Sequence, residues 1–362
     1  MEIKINKEEL MKGVQSAIRA VPNKTTLPIL ECVLITAEND EIRVTGNDTQ
    51  LGIEAYLDGE ITENGKIAID AKMFAPVIQK LPDGMISLKT DGEEVAVKSG
   101  RTKFVLNYRD GDEFPYLDNV SRDRSITISC DTLKDAIRQT VFSTSMDSNN
   151  KMMTGELFEV NGNKMRIVAL DGHRVATREI ELDKEYGPIK VIIPGKALSE
   201  IFKIASDGDV AIFIDKMEAA FSFGSTLVTT RLIEGDYFNV DAMMAQGHTT
   251  SITVNRKELL DCADRSQLFI RETDRKPVIV TIDETMKIDI KSHLGSMSEE
   301  IEIEKDGEGL VIGLNPRFLT DVLKVLDEEK LTIDFKDKKS PCFIRGEGYA
   351  YMILPINFNG AT

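Results

Sequence analysis

The string Leu170-Asp171-Gly172-His173-Arg174 is the part of this 362-residue sequence that comes nearest to reactive chemistry. A histidine two residues after an aspartate and beside an arginine has the parts of a general base. A hydrolase using Asp171 and His173 is one reading; a turn or binding motif is the other, and the favoured one. The hydrolase lacks a nucleophile, because no Gly-x-Ser-x-Gly elbow occurs and His248 and His293 sit in other stretches. No Walker A loop is present, and no Gly-x-Gly-x-x-Gly follows a strand. Cys32, Cys130, Cys262 and Cys342 are too scattered for a CxxC pair or a disulfide framework. With only three histidines, a structural zinc site is not expected, and the cysteine usage fits a reducing compartment. Runs such as Glu299-Glu300 and Asp327-Glu328-Glu329 read as solvated strand edges and helix ends. Neither a catalytic residue nor a cofactor is expected.

The elements that carry these residues repeat. Asp70–Leu81, Pro194–Ala205 and Asn315–Leu326 each place apolar residues at i, i+3, i+4 and i+7, the mark of a helix with one buried face. Lys72, Lys196 and Arg317 hold equivalent places in them, 124 and 121 residues apart. A weaker helix signal recurs at Leu10, Leu133 and Leu259, each just after a short alternating strand (Glu2–Asn6, Ser125–Ser129, Ser251–Asn255). Alternating segments at Glu41–Gly46, Lys164–Ala169 and Met286–Lys291 add strands, with tight turns at Asp91-Gly92, Lys216-Met217 and Lys338-Lys339. A period near 120 is too long for a solenoid. The chain is predicted to be α+β: three tandem domains of similar fold, each with antiparallel sheets and two helices. Polar connectors at about Tyr116–Arg124 and Asp241–Thr250 divide it into 1–120, 121–248 and 249–362.

Charge is unevenly spread. The chain has 45 basic and 61 acidic residues, a net charge of −16. The six helical segments 7–20, 70–81, 131–145, 194–206, 255–267 and 315–326 sum to +4, leaving −20 on strands and loops. Lys196 with Lys203, and Arg317 with Lys324, are seven apart and share one outward helix face; Lys72 with Lys80 is the counterpart in the first repeat. Such cations are either ordinary solvated lysines or a surface for a polyanion held at its phosphates. The first five residues alternate as a strand and no apolar run approaches a membrane span, so a cytoplasmic protein without a signal peptide is expected.

Four motifs in order resemble one family: Lys24-Thr25-Thr26-Leu27-Pro28-Ile29-Leu30, Asp112-Glu113-Phe114-Pro115, Asp171-Gly172-His173-Arg174 and Tyr351-Met352-Ile353-Leu354-Pro355-Ile356. Over essentially its whole length the chain resembles the bacterial sliding clamp, the beta subunit of DNA polymerase III. The resemblance implies the DNA clamp fold in a head-to-tail homodimer, a ring with helices lining the hole and sheets outside. It implies a non-enzymatic processivity factor that slides on duplex DNA without reading sequence. Lys24, Lys72, Lys80, Lys196, Lys203, Arg317 and Lys324 are then candidates to face DNA. The polymerase, the clamp loader and other DNA-processing proteins would dock through short peptides, typically a Gln followed by Leu and an apolar or aromatic pair.

The peptide pocket implied by the resemblance is walled by Met153, Leu170, Gly172, His173, Arg174, Val175, Val240, Met352, Leu354, Pro355 and Ile356. Val175, Val240 and Leu354 read equally well as plain core. The implied dimer contact joins Phe104 and Leu106 to Leu268, Phe269 and Ile270, a triplet that core packing would also explain. The chain departs from the family pattern at three places. Glu234-Gly235-Asp236-Tyr237-Phe238 stands where a Phe-Pro is frequent, Leu170 where a threonine is frequent, and Phe358–Thr362 runs past the usual terminus.

Overall fold

Five of the six longer helices start from the same joint. A strand ends on Asn, Asp or Ser, or one residue short of it, and that side chain caps the helix that follows. Asn6 accepts from the Glu8 amide, Asp70 from Met73, Asn255 from Lys257 and Glu258, and Asn315 from Arg317. Ser129 Oγ accepts from Thr132 at 3.0 Å. Each cap satisfies an amide that the first turn leaves without a partner. In the computed structural model, which describes residues 1–117, 120–122, 125–147, 149–270 and 276–358, the helices are α1 (Lys7–Ala17), α2 (Ala71–Lys80), α3 (Cys130–Thr140), α4 (Gly195–Ile204), α5 (Val240–Met244), α6 (Arg256–Gln267) and α7 (Pro316–Val325). The helices expected from periodicity stand within a few residues of their places. Within the polar connector Asp241–Thr250, the structure has most of the short helix α5. Asp118, Asn119, Asp123 and Arg124 of the other connector, and Asn359–Thr362 of the tail, lie outside the described residues.

Two compact units emerge, Met1–Lys134 with Lys196–Leu232, and Asp135–Gly195 with Ile233–Thr362. In the first, a five-stranded sheet runs in the order Gly59–Glu63, Glu2–Asn6, Met85–Asp91, Glu94–Ser99, Thr102–Asn107. A nine-stranded sheet joins the strands before residue 111 to those around 126–231 through the antiparallel pair Leu51–Leu57 and Thr226–Arg231, with Ala55 opposite Thr226. α1 and α2 bury Leu10, Val14, Phe74 and Ile78 against Ile3, Ile5, Val33 and Val44.

In the second unit the ten-stranded sheet is fused in the same way: Arg174–Pro194 pairs with Tyr349–Ile353, Arg174 opposite Ile353. A long hairpin, Gly155–Leu170 with Arg174–Pro194, forms one end of it; only Lys164–Ala169 of its first strand was legible as alternation. The core gathers α6 and α7, through Leu259, Cys262, Leu319, Val322 and Leu323, onto Ile252, Ile288 and Ile333. Each such aliphatic side chain removed from water contributes about 1.5–3 kcal/mol. Every strand pair among the described residues is antiparallel. The strands within 121–248 are shared between the two units, because sheets continue from one repeat into the next. All four cysteines are free and buried, and burial pushes the thiols of Cys262 and Cys342 up to about 12, so neither is reactive.

Candidate functional site

The Asp171–His173 segment turns the long hairpin. Gly172 sits at φ +85°, a conformation that disfavours a side chain, and an added Cβ would lie 3.9 Å from Met153 Cε. The Asp171 carboxylate accepts from the amides of His173 (2.9 Å) and Arg174 (3.1 Å) and from Arg174 Nε (3.0 Å). Those bonds occupy the group that a hydrolase would need as orienter or acid. Arg174 is buried, with 8% of its surface exposed. Its fork donates to Asp321 of α7 at 2.6 Å and to the Phe142 carbonyl at 2.5 Å, and its plane lies over Phe318 (4.6 Å) and Phe142 (5.1 Å). His173 stays exposed and stacks on Phe318 with centroids 6.0 Å apart. Arg174 thus fastens the hairpin turn to α7 from within. Arg174 was expected as one wall of a pocket; the structure buries it inside the turn instead of leaving it at the surface.

Beside this turn lies an apolar cluster distinct from the α6–α7 core. Leu170, Val175, Val240 and Met352 are buried in it, with Leu157, Val168, Ile192, Tyr237 and Phe343. Met152, Met153, Ile233, Phe238, Met243, Met244 and Leu354 pack on it half-buried. Six of the residues expected to wall a pocket therefore meet in one cluster. Gly172 and His173 cover its edge, and Leu354 is tied there by its amide bonding the His173 carbonyl at 2.9 Å. Pro355 and Ile356 continue past it; the Ile356 amide bonds the Gly313 carbonyl at 2.8 Å. Sequence reading missed Met152, Phe238, Met243 and Met244, which have no helical or strand period to mark them. At the departure Glu234–Phe238, Gly235 passes Met152 so closely that a Cβ would sit 2.9 Å from the sulfur, and Tyr237 and Phe238 pack in the cluster as an edge-to-face pair at 5.8 Å. A half-open, methionine-rich apolar surface adapts to more than one apolar anchor.

The candidate cations are all exposed; those on helices lie on the outward faces that the helix geometry predicts, and Lys24 lies in a loop. They are not equally free. Lys196 is ion-paired with Asp48, Lys203 bonds Glu200 at 2.7 Å, and Lys324 lies 3.9 Å from Asp264. Among the described residues no ion pair involves Lys24, Lys72, Lys80 or Arg317. Lys12 on α1 and Lys257 on α6 are exposed and unpaired in the same sense; the weaker helix repeat hid them because it carries no recurrent cation.

Phe104 and Leu106 are half-buried on the first unit's core, on the edge strand Thr102–Asn107, while Lys103 and Val105 point to the exposed face. Phe269 and Ile270 likewise lean on the second unit's core, but Leu268 is 76% exposed. In the strand Gly295–Gly307, residues 295–302 pair along one side with Thr285–Ser292, whereas only 303–307 pair with Thr250–Asn255, so 295–302 form a free edge among the described residues.

Tandem two-helix domains with sheets fused across their junctions define a DNA clamp. Family models for the N-terminal, central and C-terminal domains of the DNA polymerase III beta subunit match residues 1–118, 127–239 and 242–357. The beta sliding clamp of Bacillus subtilis is 32% identical over 375 residues, covering 98% of this chain and 99% of that one. A solved structure from Eubacterium rectale, assigned to the DNA polymerase III beta subunits, is similar at 46% identity and TM-score 0.96, covering 99% and 100% of the two chains. The B. subtilis clamp structure superposes at TM-score 0.95 and 31% identity, with the same coverage. The chain belongs to the DNA polymerase III beta-subunit family, the bacterial sliding clamps. Members are non-catalytic processivity factors, so Asp171 and His173 hold a turn rather than perform a reaction. Among the described residues no helix is long and apolar enough to cross a membrane.

Proposed function

We propose that two copies of this chain close head to tail into a ring around duplex DNA in the cytoplasm, with 1–120, 121–248 and 249–362 as its three domains. Exposed cations of the helices touch phosphates weakly, and topology rather than affinity retains the ring. Lys72, Lys80, Lys24 and Arg317 are the principal contacts, with Lys196, Lys203 and Lys324 exchanging their carboxylate partners for phosphate. The Met-rich cluster takes anchor peptides from the polymerase, the clamp loader and other DNA-processing proteins. A solved clamp from Pseudomonas aeruginosa, 25% identical, is bound to griselimycin, so a relative has a ligand site.

The dimer contact pairs the free edge Thr102–Asn107 of one copy with the free edge 295–302 of the other. Arg101 and Lys103 flank the first edge; Glu300 and Glu302 stand exposed on the second. Such pairing removes two exposed edges, and two head-to-tail contacts close the assembly. The observation that carries the reading is the ordered match of three clamp domains along nearly the whole chain.

The test is loading onto nicked circular DNA by a bacterial clamp loader with ATP, followed by a high-salt wash and linearisation. The protein is expected to survive the wash on circles and to fall off linear DNA. Equal loss from both, with a loader active on another clamp, removes the topological reading.

A further inference from the structure

The helix α5 has five residues, too few to hold itself in place. It nevertheless carries Val240, Met243 and Met244 into the apolar cluster. Its position is therefore imposed by contacts around it, and two arginines on different strands supply them.

Arg166, on Gly155–Leu170, grips the start of α5. Its guanidinium is ion-paired with the Asp241 carboxylate, with Nη2 3.5 Å from the second oxygen. The same fork donates to Glu159 Oε2 through Nε at 2.9 Å and Nη2 at 2.5 Å, and Lys190 braces Glu159 at 3.1 Å. The arginine is thus held from behind while it holds the helix. Arg345, on Cys342–Gly346, grips the other end. Its Nη2 donates to the carbonyls of Met244 (3.2 Å) and Gln246 (3.4 Å), and its Nη1 to Asp334 Oδ2 at 2.8 Å. The guanidinium plane lies 4.1 Å from the Phe343 ring, which is itself buried in the cluster. A planar fork stacked on a ring reaches separated acceptors from two nitrogens; a lysine also has three donors, but all on one nitrogen and without a flat face to stack.

We propose that Arg166 and Arg345 form a clasp on α5 that fixes Val240, Met243 and Met244, and thereby sets the affinity of the cluster for an anchor peptide. Neither arginine touches the peptide; both are positioning residues. The inference rests on reading the cluster as the partner pocket. It predicts a dependence on salt that an apolar pocket alone would not have. The Asp241 side chain is 74% exposed, so salt screens its pair with Arg166 and loosens one end of the helix.

The test uses the full chain and a fluorescent pentapeptide, Gln-Leu-Ser-Leu-Phe, capped at both ends so that it carries no charge. Anisotropy gives its affinity for the unaltered protein, R166M, D241N, the double variant, R345M and R345K. R166M and D241N are each expected to bind about fivefold more weakly, and the double variant no more weakly than either. Raising salt from about 50 to 500 mM weakens the unaltered protein by a similar factor and leaves R166M unchanged. R345M loses more, and R345K does not recover it. Thermal unfolding of R166M and D241N within about 2 °C of the parent shows that the fold stands. Parent-like affinity in R166M and D241N, or a parent affinity indifferent to salt, overturns the clasp alone. A parent that does not bind the peptide overturns the pocket reading and the clasp with it.

Discussion

Glu156 is the residue most at odds with its surroundings. It is fully buried at the start of the long hairpin, with its Oε2 2.6 Å from Thr140 Oγ1 and its other oxygen without a partner among the described residues. Thr140 Oγ1 is also 2.8 Å from the Ala136 carbonyl. One hydroxyl proton cannot serve both acceptors. A protonated Glu156 resolves this: its carboxyl donates to Thr140, whose proton goes to Ala136. Burial pushes the carboxyl up to about 8. The raised value means that the folded chain keeps a proton the unfolded chain has lost. The resulting stability is complete at acid pH, below the unfolded value, and drains away as pH climbs toward 8. Urea denaturation from pH 5 to 8 is expected to show stability falling by as much as about 1.4 kcal/mol per pH unit more steeply in the parent than in Glu156→Gln. Parallel slopes would place a charged Glu156 in the fold.

At the scale of elements, the proposed contact with DNA rests on helix faces. Arg317 opens α7 with no ion pair among the described residues, whereas Lys196, its counterpart on α4, holds Asp48. A cation already neutralised in the free protein releases fewer counterions when a phosphate replaces its partner. Arg317→Gln should therefore lower the salt slope of direct DNA binding by about 0.9, and Lys196→Gln by distinctly less. Anisotropy titrations with a short duplex between about 20 and 100 mM salt measure both slopes. Equal changes would mean that the Asp48 pair is inconsequential. The element that sequence reading described least well was the connector after Asp241. Its polar composition concealed α5, because a five-residue helix holds less than two turns of pattern, and arginines distant in sequence fix its place.

For the whole molecule, ring closure depends on surfaces that the single chain leaves uncovered. Phe104 is a poor probe of closure, since it also packs on its own core and a charge there would unfold the first unit. Leu268 gives a cleaner readout because it is largely exposed in the single chain. Leu268→Lys should leave thermal unfolding of the monomeric species nearly unchanged while moving the sedimenting particle from dimer toward monomer at micromolar protein. A dimer mass that persists across that range would remove Leu268 from the contact.

The amino-acid order alone determined the threefold repeat, the α+β class, the six longer helices and the outward cations. Each of these is written in local period, and burying one face of a helix or strand demands that period wherever the chain folds. The turn at Asp171–Arg174 was also legible, since glycine at a left-handed position and an aspartate capping backbone amides are local chemistry. Three things were decided only by tertiary structure. Leu157, Met152, Phe238 and Met243 join Leu170 and Met352 in one cluster, although they lie on segments up to about 200 residues apart. Arg174 is buried between two rings. Lys196 is neutralised by a carboxylate 148 residues away. The physical reason is common to all three: contacts between distant segments follow from which sheet edges join, and no local period encodes that pairing.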